Sequence, residues 1–173
     1  VFIAQALVKE LFGLGDEYHV LFLQGGASTQ FCMLPYNILN QGETAAYINT
    51  GTWAKKAIAE AKLFGNVDVT ASSEEAVYNY IPKGWQVPAG AKYLHITTNN
   101  TIYGTQYHQF PDADCIKIAD MSSDIFCREI NAKHFDLIYA GAQKNLGPAG
   151  TTMVILKDDI LGIVDRQIPS MLD

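Results

Sequence analysis

The stretch IYAGAQKNLGPAG, Ile138 to Gly150, decides how the rest of the chain is read. It starts as an apolar run, passes through small residues, and sets Lys144 between Gln143 and Asn145, just ahead of Gly-Pro-Ala-Gly. FDLIYAGA before the lysine and TTMVILK after it both have strand character, so Lys144 falls in a tight turn behind a buried strand. A lysine taken alone belongs in solvent. One that follows a core strand stands where open α/β sheets hold their ligands, outside the carboxyl ends of the strands.

Working outward, VLFL at Val20–Leu23 is a short apolar run that predicts a buried strand. AAYIN, VDVTAS, KYLHITTN and CIKIAD predict further strands. Between them, FIAQALVKELFGLG reads as an amphipathic helix, and QFCMLPYNIL as a helix with a break near Pro35. AKKAIAEAKLFG sets Ala57, Ile58, Ala61 and Phe64 on one helical face, with Gly65 as its stop. Residues 72–90 are mixed and loop-rich, punctuated by Pro82 and Pro88, and DDILGIVDR predicts a last helix capped by an aspartate. Strands alternating with helices predict an α/β fold around a mostly parallel sheet.

The 173 residues suffice for one sizeable domain with its own core. A net charge of -6 argues against a nucleic-acid partner, which calls for a basic face. No apolar run is long enough to span a bilayer, and the N-terminus lacks the regions of a signal peptide, so no membrane association is expected. Cys32, Cys115 and Cys127 form no CxxC pair, which predicts neither a disulfide framework nor a zinc site. Cys32 and Cys115 read as small buried hydrophobes, and a reducing cytoplasm is the expected setting. His19, His95, His108 and His134 have no metal-binding spacing and read as structural or exposed, so no metal is expected.

The strand ends share a pattern: GGAST, TGTW, NNTIYG, DMSS and GAQKN. GGAST before a helix offers free backbone N–H groups and glycines that let an anion approach, although it is neither a P-loop nor GxGxxG. Each element has a plainer reading. Trp53 can be packing, Asp120 can cap a turn, and Thr101 can be a turn residue. Taken together, an anion cradle, an aromatic plate, a carboxylate and a lysine match the anionic tail, flat ring, basic ring nitrogen and aldehyde of pyridoxal 5'-phosphate.

VLFLQGGASTQFCMLPYNIL, TGTWAKKAIAEAKLFG, NNTIYGT, ADMSSDIFCREI and IYAGAQKNLGPAG, in this order, resemble the phosphoserine aminotransferases, class-V aminotransferases of the fold-type-I pyridoxal-phosphate group. The resemblance spans nearly the whole chain. It implies that residues 1–173 are part of a large cofactor-binding domain with a mixed, mostly parallel sheet flanked by helices. The family's N-terminal segment and small C-terminal domain would lie outside this chain. It implies pyridoxal 5'-phosphate as cofactor, with Lys144 as the Schiff-base lysine and proton carrier, and Asp120 paired with the ring nitrogen. Trp53 would stack on the ring, and Thr101 would lie near its phenolic oxygen. Ala27 and Ser28 would hold the phosphate through backbone amides, with Gln143 reaching it from beside the lysine. Some members carry arginine where this chain has Ser28, which leaves that substrate contact unsupplied here. The implied reaction moves an amino group from L-glutamate to 3-phosphohydroxypyruvate, in a cytoplasmic homodimer whose second subunit adds phosphate contacts. Some relatives also process a phosphorylated threonine precursor in vitamin B6 synthesis. The substrate-holding arginines would come from outside the chain, since Arg128 and Arg166 match no substrate position. Two other readings stand beside this one: a fold-type-I aminotransferase with another acceptor, and a non-catalytic fragment that keeps the cofactor scaffold.

Overall fold

The computed structural model describes every residue, Val1–Asp173. Its strands are β1 (Tyr18–Leu23), β2 (Thr44–Asn49), β3 (Asn66–Ser72), β4 (Tyr93–Thr97), β5 (Asn99–Asn100), β6 (Thr105–Gln106), β7 (Ile116–Asp120), β8 (Leu137–Gly141) and β9 (Thr152–Lys157). Its α-helices are α1 (Phe2–Phe12), α2 (Gly26–Ile38) and α3 (Thr52–Ala61). One seven-stranded sheet runs in the order β1-β9-β8-β7-β4-β2-β3, and β5 and β6 form a separate ribbon. The pairs β2–β3, β2–β4, β4–β7 and β7–β8 are parallel. Only β9 is reversed, antiparallel to both β1 and β8. The carboxyl ends of β1, β2, β3, β4, β7 and β8 therefore meet at one edge of a mixed, mostly parallel sheet.

Every residue of β4 and β8 is buried, as expected for central strands covered on both faces. Alternate side chains separate the core into two layers. On one face Ala45, Tyr47, Tyr93, Ile118 and Tyr139 pack under α2 and α3 through Phe31, Leu34, Ile38, Ala57 and Ile58. On the other, Ile48, Leu94, Ile96, Ile138 and Ile155 pack under Val8 of α1 and under irregular segments that bring in Tyr107, Met121, Ile125 and Phe135. One face is thus roofed by helices and the other mostly by ordered loops.

Five local expectations need correction. β1 is an edge strand paired only with β9, so Val20 is buried while Leu21 points to solvent. Helix α2 begins inside GGAST and runs through Pro35 without a break. Pro35 lies in the last turn and is buried, so it removes one backbone bond close to where the helix ends anyway. Helix α3 ends at Ala61, and Gly65 is not its left-handed stop. A Cβ at Gly65 would lie 2.6 Å from Cδ2 of Leu39 and 3.0 Å from the Glu43 carbonyl, so close packing accounts for the glycine. DDILGIVDR forms only a short 3-10 turn, Asp158–Ile160. Ile160 is its buried anchor, and Gly162 turns the chain away at φ +63°. Cys32 and Cys115 are half-buried rather than buried, and Cys127 is exposed.

Candidate active site

A cavity of about 130 Å³ opens at the carboxyl edge of the sheet, walled by residues from α2, α3, β4, β7 and the turn after β8. Its first wall is the start of α2. Gly25 and Gly26 have φ of +96° and +71°, consecutive left-handed residues that only glycine adopts without strain. A Cβ on Gly25 would also lie 2.5 Å from Oγ1 of Thr29, whose hydroxyl donates to the Gly25 carbonyl at 2.6 Å. The helix thus starts abruptly and has no side-chain cap. Its first N–H groups, including those of Ala27 and Ser28, lack intrahelical acceptors at the positive end of the helix dipole. Both residues border the cavity. Gly141 lets the end of β8 approach this turn, since a Cβ there would lie 3.3 Å from that of Ala27.

Asp120 ends β7 and is 5% exposed. Ser122 donates to its Oδ1 twice, from the backbone N–H at 3.0 Å and the hydroxyl at 2.6 Å. The same Ser122 oxygen accepts the Gly141 N–H at 3.1 Å, which ties the ends of β7 and β8 together. Burial pushes the Asp120 carboxyl above its usual range. The two Ser122 donors, the Lys144 charge and the Tyr139 hydroxyl pull it back in part. Beside Asp120, across the β4–β7 register, Thr97 is 3% exposed and its Oγ1 is buried without a partner. Asn99 and Ser123 exchange two hydrogen bonds of 3.0 Å farther along the wall.

Lys144 lies in the turn between β8 and β9. The Ala142 carbonyl accepts the N–H groups of Leu146 at 3.2 Å and Gly147 at 2.9 Å, and the Asn145 side chain donates to the Ile125 carbonyl. The turn is therefore fixed while the Lys144 side chain is exposed. Its Nζ lies 5.3 Å from the centroid of the Trp53 ring, and Nζ of Lys56 lies 4.8 Å from the same centroid. Trp53 stands in the first turn of α3, and its Nε1 is buried without a hydrogen-bond partner.

Ala27, Ser28, Trp53, Asp120, Gln143 and Lys144 all border this one cavity. Thr101 does not. It sits in the turn joining β5 to β6, held by the Tyr103 and Gly104 N–H groups bonding to the Asn100 carbonyl, and its side chain is exposed. Thr97 and Asn99 occupy the wall on that side instead. Ser122 joins the site without a distinctive motif; its signal in the sequence is its position two residues after Asp120, where a polar turn residue can bond back to an aspartate. Neither arginine is near. Arg128 donates to the Tyr107 carbonyl and Arg166 to that of Leu39. A wider groove of about 910 Å³ runs between residues 80–85 and 106–112, but it shares no lining residue with this cavity. Unpaired helix amides, a buried carboxylate, an aromatic face and a free amine together suit a flat anionic molecule with a cationic ring atom and an electrophilic carbon.

The family model of class-V aminotransferases matches residues 3–168. The phosphoserine aminotransferase of Flavobacterium johnsoniae is 57% identical over 171 residues, covering 98% of this chain and 48% of that protein. The solved phosphoserine aminotransferase of Bacillus circulans subsp. alkalophilus superposes with a TM-score of 0.94 at 49% identity, over 99% of this chain and 48% of its own. The phosphoserine aminotransferase of Trichomonas vaginalis, solved with pyridoxal phosphate bound, superposes with a TM-score of 0.88 at 33% identity, over 98% of this chain and 49% of its own. The chain thus spans about half the length of the curated relatives it matches.

Proposed function

The chain belongs to the class-V aminotransferase family, and from that premise we propose that it is part of the large domain of a phosphoserine aminotransferase. The protein would bind pyridoxal 5'-phosphate and move an amino group from L-glutamate to 3-phosphohydroxypyruvate, giving 2-oxoglutarate and O-phospho-L-serine. The observation that carries this reading is the convergence of Lys144, Asp120, Trp53 and the start of α2 on one cavity. High identity to relatives named for this reaction supports the choice of substrates.

The residues present fit the cofactor. The unpaired amides of Ala27 and Ser28 suit its phosphate, and Gln143 adds a neutral donor beside them. Both hydrogen bonds from Ser122 go to Oδ1 of Asp120, which leaves Oδ2 for a protonated ring nitrogen. Trp53 offers an aromatic face, and the buried, unpartnered Thr97 hydroxyl offers a polar contact at the same wall. When bound, pyridoxal phosphate supplies a carbonyl carbon that links covalently to amino groups and a ring that accepts negative charge from the substrate α-carbon.

Lys144 would hold the cofactor covalently at rest. Once displaced by substrate, its amine would take the proton from the substrate α-carbon and return it on the far side of the transfer, acting as base and then acid. The exposed, flexible stem of Lys144 suits a group that has to travel between two atoms. Asp120 would keep the ring nitrogen protonated by presenting a fixed negative charge to it. Lys144 is the one cationic side chain on the wall, and Arg128 and Arg166 are engaged elsewhere. The guanidinium groups that orient the substrate carboxylate and phosphate would therefore come from beyond these residues, in a cytoplasmic homodimer whose partner subunit completes the phosphate site. The test uses the full-length protein with pyridoxal phosphate. Its absorbance spectrum is recorded before and after L-glutamate, and 2-oxoglutarate release is assayed with 3-phosphohydroxypyruvate as acceptor. No spectral change with glutamate, or no release with this acceptor, contradicts the proposal.

A further inference from the structure

We propose that His95 is a positioning residue for Asp120, acting through the hydroxyl of Tyr139; the inference rests on the cofactor reading above. His95 does not border the cavity. It lies on β4, 2% exposed, with Nε2 3.0 Å from the Tyr139 hydroxyl oxygen. Tyr139 on β8 is the register partner of Asp120 on β7, so their side chains leave the sheet on the same face. The His95 ring is held in plane by Tyr47, stacked with centroids 4.8 Å apart at 27°. The Tyr47 hydroxyl is itself bonded to that of Tyr93 at 2.8 Å. A polar aromatic ladder thus crosses the otherwise apolar core under α2 and α3 and ends at the Tyr139 hydroxyl, on the same face of the sheet as Asp120 and one strand away.

Its direction follows from counting protons. Burial pushes the His95 pKa down to about 3, so the ring is neutral near pH 7 and carries one N–H. Nδ1 is buried, with the residue's own main-chain carbonyl near the ring but no well-formed hydrogen bond. A proton there would be a poorly satisfied buried donor, which costs more than a bare lone pair. The proton therefore belongs on Nε2, where it donates to the Tyr139 oxygen. The Tyr139 proton is then free to point at Asp120, in keeping with the Tyr139 hydroxyl helping to hold that carboxyl charged. In the opposite tautomer Tyr139 would donate to His95 and turn a lone pair toward the carboxylate. The other groups facing Asp120 are Ser122, the Lys144 ammonium and the neutral Thr97, so Tyr139 is the one facing side chain whose donor direction is set from deep in the core.

The experiment measures dissociation constants of the full-length protein for pyridoxal phosphate and for its 1-deaza analogue, in which a C–H replaces the ring nitrogen. Only the first can pair with Asp120, so the ratio of the two constants reads that contact and cancels general damage to the fold. The wild type is expected to prefer pyridoxal phosphate. His95→Leu and Tyr139→Phe should each cut that preference roughly tenfold, the scale of one hydrogen bond to a charged group. His95→Gln, whose amide places an N–H near the position of Nε2, should restore most of it. An unchanged preference in the leucine and phenylalanine variants overturns the proposal. So does an equal loss of affinity for both ligands, which would mean that His95 only packs. A wild type that binds neither ligand sinks the cofactor reading itself, and this inference with it.

Discussion

Asp120 and Lys144 border the same cavity, but the chain holds them in opposite ways. Asp120 is 5% exposed, doubly bonded to Ser122 and flanked by Tyr139 and Thr97 from the neighbouring strands. Lys144 is exposed on a fixed turn, its ammonium 5.3 Å from the Trp53 centroid and in no ion pair with a carboxylate. A carboxylate that must present a constant charge gains from rigid donors, because preorganised dipoles need not reorient during reaction. A base that must leave one carbon and reach another gains nothing from being pinned. On the proposed function, the contrast would give charge stabilisation to the sheet and motion to the turn.

Replacing the mobile partner should have the largest effect. Lys144→Ala in the full-length protein should lose nearly all transamination, since both the covalent link and the proton carrier disappear. Lys144→Arg should be equally inactive, because it keeps a positive charge but offers no free amine. Turnover in the arginine variant would show that charge over Trp53 is what matters. Asp120→Asn should still bind cofactor but turn over about a hundredfold more slowly or worse, a loss of a few kcal/mol of transition-state stabilisation. Near-normal turnover there would mean that another group protonates the ring. Ser122→Ala comes next. It removes the 2.6 Å hydroxyl donor and the link to Gly141, so the Asp120 carboxyl should rise further and activity should fall about tenfold. The acidic limb of the pH profile should then move to higher pH.

The smallest effect concerns stability without cofactor. The folded Asp120 carboxyl titrates above its ordinary value near 3.8, chiefly through burial. The folded state therefore keeps a proton at pH values where the unfolded chain has released it. Wild-type stability should decline as pH rises from about 3.8 to the folded value and then level off, whereas Asp120→Asn should lack this slope. Chemical denaturation of the two proteins across that range checks the sign. A wild type that gains stability there relative to the variant would mean that the Ser122 donors and the Lys144 charge outweigh burial.

Sequence showed clearly what is local. The strand–turn–strand around Lys144, the glycines before α2 and the carboxylate at the end of β7 each announce themselves within a few residues. What depends on strand order was hidden. KYLHITTN places His95 on the same side as Tyr93, but nothing in it says that β7 and β8 lie next, so the bond from His95 to Tyr139 and the placing of Tyr139 beside Asp120 appear only with the sheet assembled. The NNTIYG motif points to Thr101, whereas its exposure follows from the tight β5–β6 turn that the two-residue strands impose. DDILGIVDR misled because its apolar spacing suits a helix, while one buried anchor and a left-handed Gly162 end the turn early.

The central claim is that Lys144 is the covalent anchor of a cofactor seated against Asp120. The most direct measurement is to incubate the full-length protein with pyridoxal phosphate, reduce it with borohydride and map the modified peptide by mass spectrometry. The account predicts a single stoichiometric label on Lys144. A label instead on Lys56, whose ammonium also lies over Trp53, or on Lys55 beside it, would contradict it.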